Sequence, residues 1–197
     1  MSTDGVDTGR RRFLTAATTV VGGVGAAFVA VPFVASMTPS ARAWAAGAPV
    51  EVDISKIESG QQLTIEWRGK PVWIVKRTKE MLDNLPTLDA VLLDPLSDMG
   101  QQPEYAKNGS RAIKDEILVL LGVCTHLGCS PKYRPELAPA DLGSDWKGGF
   151  FCPCHGSKFD LAGRVYSGVP APKNLEVPPH TYLSDSRIIV GVDGETA

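Results

Sequence analysis

An excess of positive charge is missing from this chain: Lys and Arg number 20 against 22 Asp and Glu, a formal net charge of -2. A nucleic-acid partner, which needs a basic face against phosphate, is therefore not expected. No unit of roughly 20–50 residues recurs, which argues against solenoids and propellers. Cysteine and histidine are scarce, four and three in 197 residues. Any metal or thiol chemistry is confined to a few positions.

Charge is also absent from a long internal run. Between Arg10-Arg11-Arg12 and Arg42 the stretch from Phe13 to Met37, "FLTAATTVVGGVGAAFVAVPFVASM", carries none. It exceeds the roughly 20 residues that a helix needs to cross a bilayer core and is well beyond a secretory h-region. Residues 13–37 are expected to form a transmembrane anchor, with Pro32 and the glycines tolerated where neighbouring helices pack. The basic cluster keeps residues 1–12 in the cytoplasm and sends the remainder out, into a periplasm-like space. "GRRRFL" also resembles a twin-arginine export signal, the address of proteins that fold before crossing the membrane. Ala41-Arg42-Ala43 fits a small-x-small cleavage site, so a cleaved signal is the competing reading.

Residues 38–49, "TPSARAWAAGAP", lack periodicity and read as a flexible hinge. From residue 50 to 197 the pattern is that of an all-β head. "VEVDI", "LTIEW" and "VWIVKR" alternate around a turn at Arg68–Pro71, and strand signals return at 117–123, 149–151, 175–177, 181–183 and 187–192. Residues 82–107 read as an irregular excursion with a helical turn.

All four cysteines and two of the three histidines lie in two boxes, "CTHLGC" from Cys124 and "CPCH" from Cys152, each following a strand. Each box offers one Cys and one His, Cys124 with His126 and Cys152 with His155, and leaves one cysteine over. Loops closing on a shared metal bring their spare residues together too, so Cys129 and Cys154 are expected to form a disulfide, which an exported location permits. Two Cys and two His also make a legitimate structural zinc set. A Rieske [2Fe-2S] centre uses the same donors with both imidazoles on one iron, and the C-x-H and C-x-x-H layout with an auxiliary disulfide favours it.

"GVCTHLGCSP", "CPCHGSKFD" and "GVPAP" (Gly168–Pro172) resemble the Rieske iron-sulfur subunits of cytochrome bc1 complexes, the ubiquinol-cytochrome c reductases. "WRGKPVWIVKRT" (Trp67–Thr78) and the anchored N-terminus extend the resemblance over nearly the whole chain. It implies a Rieske-type head of antiparallel sheets with a cluster-binding subdomain, and one [2Fe-2S] cluster per subunit. It places Cys124 and Cys152 on the inner iron and His126 and His155 on the outer. Cys129–Cys154 would be the disulfide, and the Ser157 hydroxyl would donate to a cluster sulfur. His155, with His126 beside it, would meet the quinol and take its proton. Cytochrome b and cytochrome c1 are the implied partners, in a dimeric complex of the bacterial inner membrane that acts as a respiratory translocase.

Phe159 departs from the family pattern, because many members have there a tyrosine that donates to a ligand cysteine. A Rieske subunit of an arsenite-oxidase-type periplasmic enzyme is the alternative function. His180 is expected at the surface or a strand end, Trp67 and Trp73 in packing, and Lys76–Glu80 on a solvated face.

Overall fold

The computed structural model of the protein describes Gly5 and residues 7–194. The outermost parts of the expected segments 1–12 and 50–197 lie outside the described residues. Two compact units emerge, residues 1–45 and 46–197.

The first unit is built on one helix, α1 (Thr8–Ser36), 29 residues long. At about 1.5 Å per residue it is longer than a bilayer's hydrocarbon core. It begins before the expected anchor because Asp7 caps it, accepting from the Arg10 amide, which draws the three arginines into its first turns. Thr15, Thr18 and Thr19 return their hydroxyls to the carbonyls of Arg11, Leu14 and Thr15 at 2.8 Å each. Those polar groups are thereby satisfied without water, as an apolar environment demands. A second helix, α2 (Ala41–Ala46), occupies part of the segment expected to be an irregular hinge. Four alanines in "ARAWAA" supply the helix propensity, which the reading of that segment as unpatterned overlooked.

Among the described residues, the second unit holds nine strands in three antiparallel sheets. β1 (Val50–Asp53), β2 (Gln62–Trp67), β3 (Lys70–Lys76) and β4 (Ile117–Leu121) come first. β5 (Lys132–Arg134), β6 (Gly149–Cys152), β7 (Ser157–Phe159), β8 (His180–Ser184) and β9 (Arg187–Val190) follow. The strand orders are β1-β9-β8, β2-β3-β4 and β5-β6-β7. The β2–β3 hairpin turns on Arg68 and Gly69, both at positive φ, and pairs Trp67 with Lys70. This is the two-residue turn whose twist suits a hairpin.

β3 and β4 are buried on both faces, and so "VWIV" and "ILVLL" are continuous apolar runs rather than alternating ones. One face of β3 and β4, with Val72, Ile74, Ile117, Val119 and Leu121, packs on Val52, Ile188 and Val190 of the β1-β9-β8 sheet. The other face, with Trp73, Val75, Leu118 and Leu120, packs on Phe150, Phe159 and the cysteines Cys124 and Cys152. Trp73 stacks on Phe150 with ring centroids 5.0 Å apart. Both Trp67 and Trp73 are buried, as expected of packing residues.

Between β3 and β4 lie a short helix, α3 (Lys79–Asn84), and 3-10 turns at Leu85–Val91 and Glu104–Ala106, in the expected irregular excursion. Residues 175–177 are not a ladder strand. Their amides and carbonyls are shared among three segments instead, through Leu175 N to Gly163 O, Val177 N to Gln101 O and Leu121 N to Glu176 O.

One expectation is corrected and another is narrowed. Arg77 is not on a solvated face: it is buried, and its guanidinium donates to the carbonyls of Asp115, Ser110 and Leu161 at 2.8–3.0 Å. His180 begins β8 but is not at the surface, being 1% exposed. Its Nδ1 lies 2.8 Å from Pro178 O, its ring meets Tyr105 edge-on, and its Nε2 has no hydrogen-bond partner among the described residues. Burial pushes its pKa below the ordinary value, opposed by the Pro178 carbonyl and Asp193. The unfolded chain then binds more protons near pH 6.5, so this contribution to stability is full above that pH and declines as pH falls through it. We expect the urea midpoint to fall between about pH 7 and pH 5, and to fall less steeply in His180→Gln. Equal slopes in the two proteins would contradict this.

Candidate metal centre

β4 ends at Leu121 and delivers Cys124, and β6 ends at Cys152. Two similar turns follow. The Gly128 amide returns to Cys124 O at 3.0 Å and the Gly156 amide to Cys152 O at 2.9 Å, so each box curls around its first cysteine. The Cys124 amide also donates to Cys129 O at 2.7 Å, closing the first loop.

Cys129 and Cys154 are joined by a disulfide, as the boxes predicted. Cys124 and Cys152 are free and buried. The sulfurs of Cys129, Cys152 and Cys154 lie within 4.8 Å of one another, but the disulfide removes two of them as thiolate ligands. The usable thiols are Cys124 and Cys152, which lie within hydrogen-bonding contact of each other. Burial is the chief reason that the Cys124 thiol sits above its ordinary pKa. Cys152 raises it further, while the His126 amide and the Ser157 hydroxyl pull it down. A metal bound at these sulfurs must displace protons from them.

The imidazoles of His126 and His155 approach edge-to-face with centroids 4.7 Å apart. His155 is exposed and His126 half-buried. His126 Nδ1 is buried with no partner among the described residues. Two adjacent buried thiols and an orphaned imidazole nitrogen beside a second imidazole fit a [2Fe-2S] group with mixed thiolate and histidine donors. The structure thus brings together Cys124, His126, Cys152 and His155 as well as the disulfide.

Ser157 is fully buried, and its Oγ accepts from the Ala171 amide at 3.1 Å while lying against Cys124. Thr125 Oγ1 donates to Lys173 O at 2.6 Å. Residues 171–173, at and just past the end of "GVPAP", are thereby fastened to both loops, at Ser157 in one and Thr125 in the other. Ser157 was singled out in the sequence for a different bond, whereas Thr125 carries no pattern that marks it. Phe159 lies in the core that holds Cys124 and Cys152 and offers no donor there. A cavity of about 490 Å³ lies elsewhere, lined among others by Leu88, Leu142, Trp146 and Tyr166, and holds none of these ligands.

Residues 49–179 match the family model of the Rieske [2Fe-2S] domain, and residues 1–40 match that of the "Ubiquitinol-cytochrome C reductase Fe-S subunit TAT signal". The ubiquinol-cytochrome c reductase iron-sulfur subunit of Allochromatium vinosum is 63% identical over 197 residues, spanning 100% of this chain and 95% of that one. The subunit of the same name from Bradyrhizobium diazoefficiens is 44% identical, covering 92% and 94% of the two chains. That from Blastochloris viridis is 43% identical, covering 96% and 97%. Nothing among these names favours the arsenite-oxidase alternative. The export signal and the long apolar helix α1 fit a membrane-anchored bacterial protein. Identity at this level over almost the full length of both chains makes the protein a member of the ubiquinol-cytochrome c reductase iron-sulfur subunits, with a Rieske [2Fe-2S] domain as its head.

Proposed function

We propose that the protein is the electron-transfer subunit of a ubiquinol-cytochrome c reductase, taking an electron from quinol at cytochrome b and passing it to cytochrome c1. The observation that carries this reading is the convergence of two free buried thiols and two imidazoles on loops tied by a disulfide. Cys124 and Cys152 would hold one iron of a [2Fe-2S] group, and His126 and His155 the other. When bound, the [2Fe-2S] group supplies a one-electron acceptor at a potential well above that of all-thiolate clusters.

The protein's own residues supply the rest. Cys124 and Cys152, buried and closed over by the Gly128 and Gly156 turns, keep water from the sulfurs. His155 is exposed, so the ring nitrogen turned away from the metal can accept a hydrogen bond and then a proton from a quinol hydroxyl. His126 presents the same chemistry from a half-buried position. The head works on the periplasmic face, within a complex that forms a dimer, and residues 38–49 let it move between donor and acceptor.

Redox titration of membranes by electron paramagnetic resonance, with and without a quinol-site inhibitor, tests the reading. A Rieske-type signal that stays with the membrane and shifts with inhibitor supports it. A signal released to the soluble fraction and indifferent to inhibitor, or stoichiometric zinc with no signal, overturns it. The same titration tests the hydrogen bonding around Cys124. A bond to a charged acceptor contributes about 1.5–3 kcal/mol, and Ser157 gives one to the more negative, reduced state. Ser157→Ala is expected to lower the midpoint by about 59 mV or more, a tenfold change in the reduced-to-oxidised ratio. Phe159→Tyr is expected to raise it by restoring a donor. Two unchanged midpoints would contradict this account.

A further inference from the structure

Three arginines, Arg77, Arg111 and Arg164, and two aspartates, Asp94 and Asp160, are buried among the described residues of the head. All three guanidiniums converge on the loop that leaves β7. Arg77 Nη1 donates to Leu161 O at 3.0 Å, and Arg111 Nη1 donates to Ala162 O and Gly163 O at 3.2 and 3.3 Å. Arg164 Nε donates to Asp160 Oδ2 at 2.7 Å, and its Nη1 reaches Asp89 at 2.8 Å.

Arg164 is thus paired with carboxylates. Arg77 and Arg111 are not bonded to any: their hydrogen-bond partners among the described residues are carbonyl or amide oxygens, and Asp160 with Asp115 acts on Arg77, and Asp160 with Asp94 on Arg111, only through space. Arg111 is 0% exposed, and its Nη2 donates to Leu175 O at 2.7 Å and to Gln102 Oε1 at 3.0 Å. Arg77 Nη2 and Arg111 Nε, both buried, have no hydrogen-bond partner among the described residues. Taking a guanidinium from water without a counter-charge costs several kcal/mol. Fastening a loop through its carbonyls does not require that cost, since neutral donors do the same.

The placement offers a reason. Leu175, whose carbonyl Arg111 holds, and Leu120, which lies beside Gly163 and Arg111 Nη1, belong to the same core as Cys124 and Cys152. Asp160, where the loop begins, is three residues along the chain from Ser157, or about 10 Å. A charge fixed in this core acts on the ligands through protein, where it is felt more than through water and salt screens it little.

We propose that Arg77 and Arg111, buried charges with no carboxylate bonded directly to them, raise the reduction potential of the cluster by stabilising its more negative, reduced form. They offset the donor that Phe159 does not provide. The inference rests on the ligand assignment proposed above and adds to it the source of the electrostatic field. It concerns charge rather than contact, so the conservative variant separates the two.

Midpoint titration of the membrane-bound protein, followed by its electron paramagnetic resonance signal, provides the test. Arg111→Gln is expected to lower the reduced-to-oxidised ratio at fixed potential about tenfold, which is about 59 mV for one electron. Arg111→Lys, which keeps the charge, should stay close to the parent. Gln102→Glu sets a carboxylate against Arg111 while leaving the arginine in place, at the cost of the bonds from Gln102 Nε2 to Ser97 O and Met99 O in the loop outside the core. It should also lower the midpoint, and both shifts should persist between about 0.1 and 1 M salt.

An unchanged midpoint in Arg111→Gln with an intact signal overturns the inference while the ligand assignment stands. If Arg111→Gln fails to fold, an unchanged midpoint in Gln102→Glu overturns it. Equal lowering by Arg111→Lys and Arg111→Gln would show that contact, not charge, is at work. Absence of a Rieske-type signal from the parent protein overturns the ligand assignment, and this inference with it.

Discussion

Replacing both Cys129 and Cys154 with serine is expected to leave the β1-β9-β8 and β2-β3-β4 sandwich folded while the metal centre fails. The bridge joins positions 25 apart in sequence, and it ties the first ligand loop to the second at the point where both reach the surface. For a loop of that length the chain-entropy model gives about 3.5 kcal/mol. Few other bonds hold the loops closed. Thr125 to Lys173 and Ser157 to Ala171 both run through residues 171–173 rather than directly between the boxes. The expected result is therefore a signal that bleaches rapidly under a chelator, with far-UV circular dichroism close to the parent's. Dithiothreitol applied to the parent should reproduce it. A double variant that resists the chelator as well as the parent would show that the bridge contributes nothing to retention.

The two boxes were legible because a metal centre constrains spacing directly. Cys124 and His126, and Cys152 and His155, are close in sequence, so their turns could be read without the rest of the fold. The strands at Gln62–Trp67, Lys70–Lys76 and Ile117–Leu121 were legible for a related reason, since strong apolar runs bounded by turn residues admit few alternatives. β5 and β7 were missed because three residues are too few to show a period. Residues 175–177 have a strand's composition, yet their partners come from three different segments and form no ladder.

Arg77 was illegible for a deeper reason. A guanidinium is buried only where carbonyls from elsewhere converge on it, and those of Ser110 and Leu161 come from segments 33 and 84 residues away. Arg111 and Arg164 are of the same kind, with acceptors that tertiary structure alone assembles. Local pattern identified the ligands, whereas the charges around them became visible only once the loop at 160–164 was in place.

Gly149→Ala is expected to be the most damaging single substitution outside the ligands. Gly149 opens β6 at φ 155, a conformation in which side chains are rarely accommodated. A Cβ built there overlaps the carbonyl oxygen of Phe159 and lies 3.0 Å from the Cα of Asp160. Both obstacles are backbone, so no rotamer change relieves them. Relief requires β6 to move from β7, which breaks the pairing of Phe150 with Phe159 and of Cys152 with Ser157. The stack of Phe150 on Trp73 then opens, and with it the core on which both free thiols sit. A cost above about 4 kcal/mol belongs to the exceptional class of backbone clashes and core disruption. The measurement is the yield of signal-bearing protein in membranes together with its thermal midpoint. A Gly149→Ala protein with normal yield and a parent-like redox midpoint would mean that β6 reaches Cys152 by a path with room for a side chain, and the close approach of β6 to β7 would have to be abandoned.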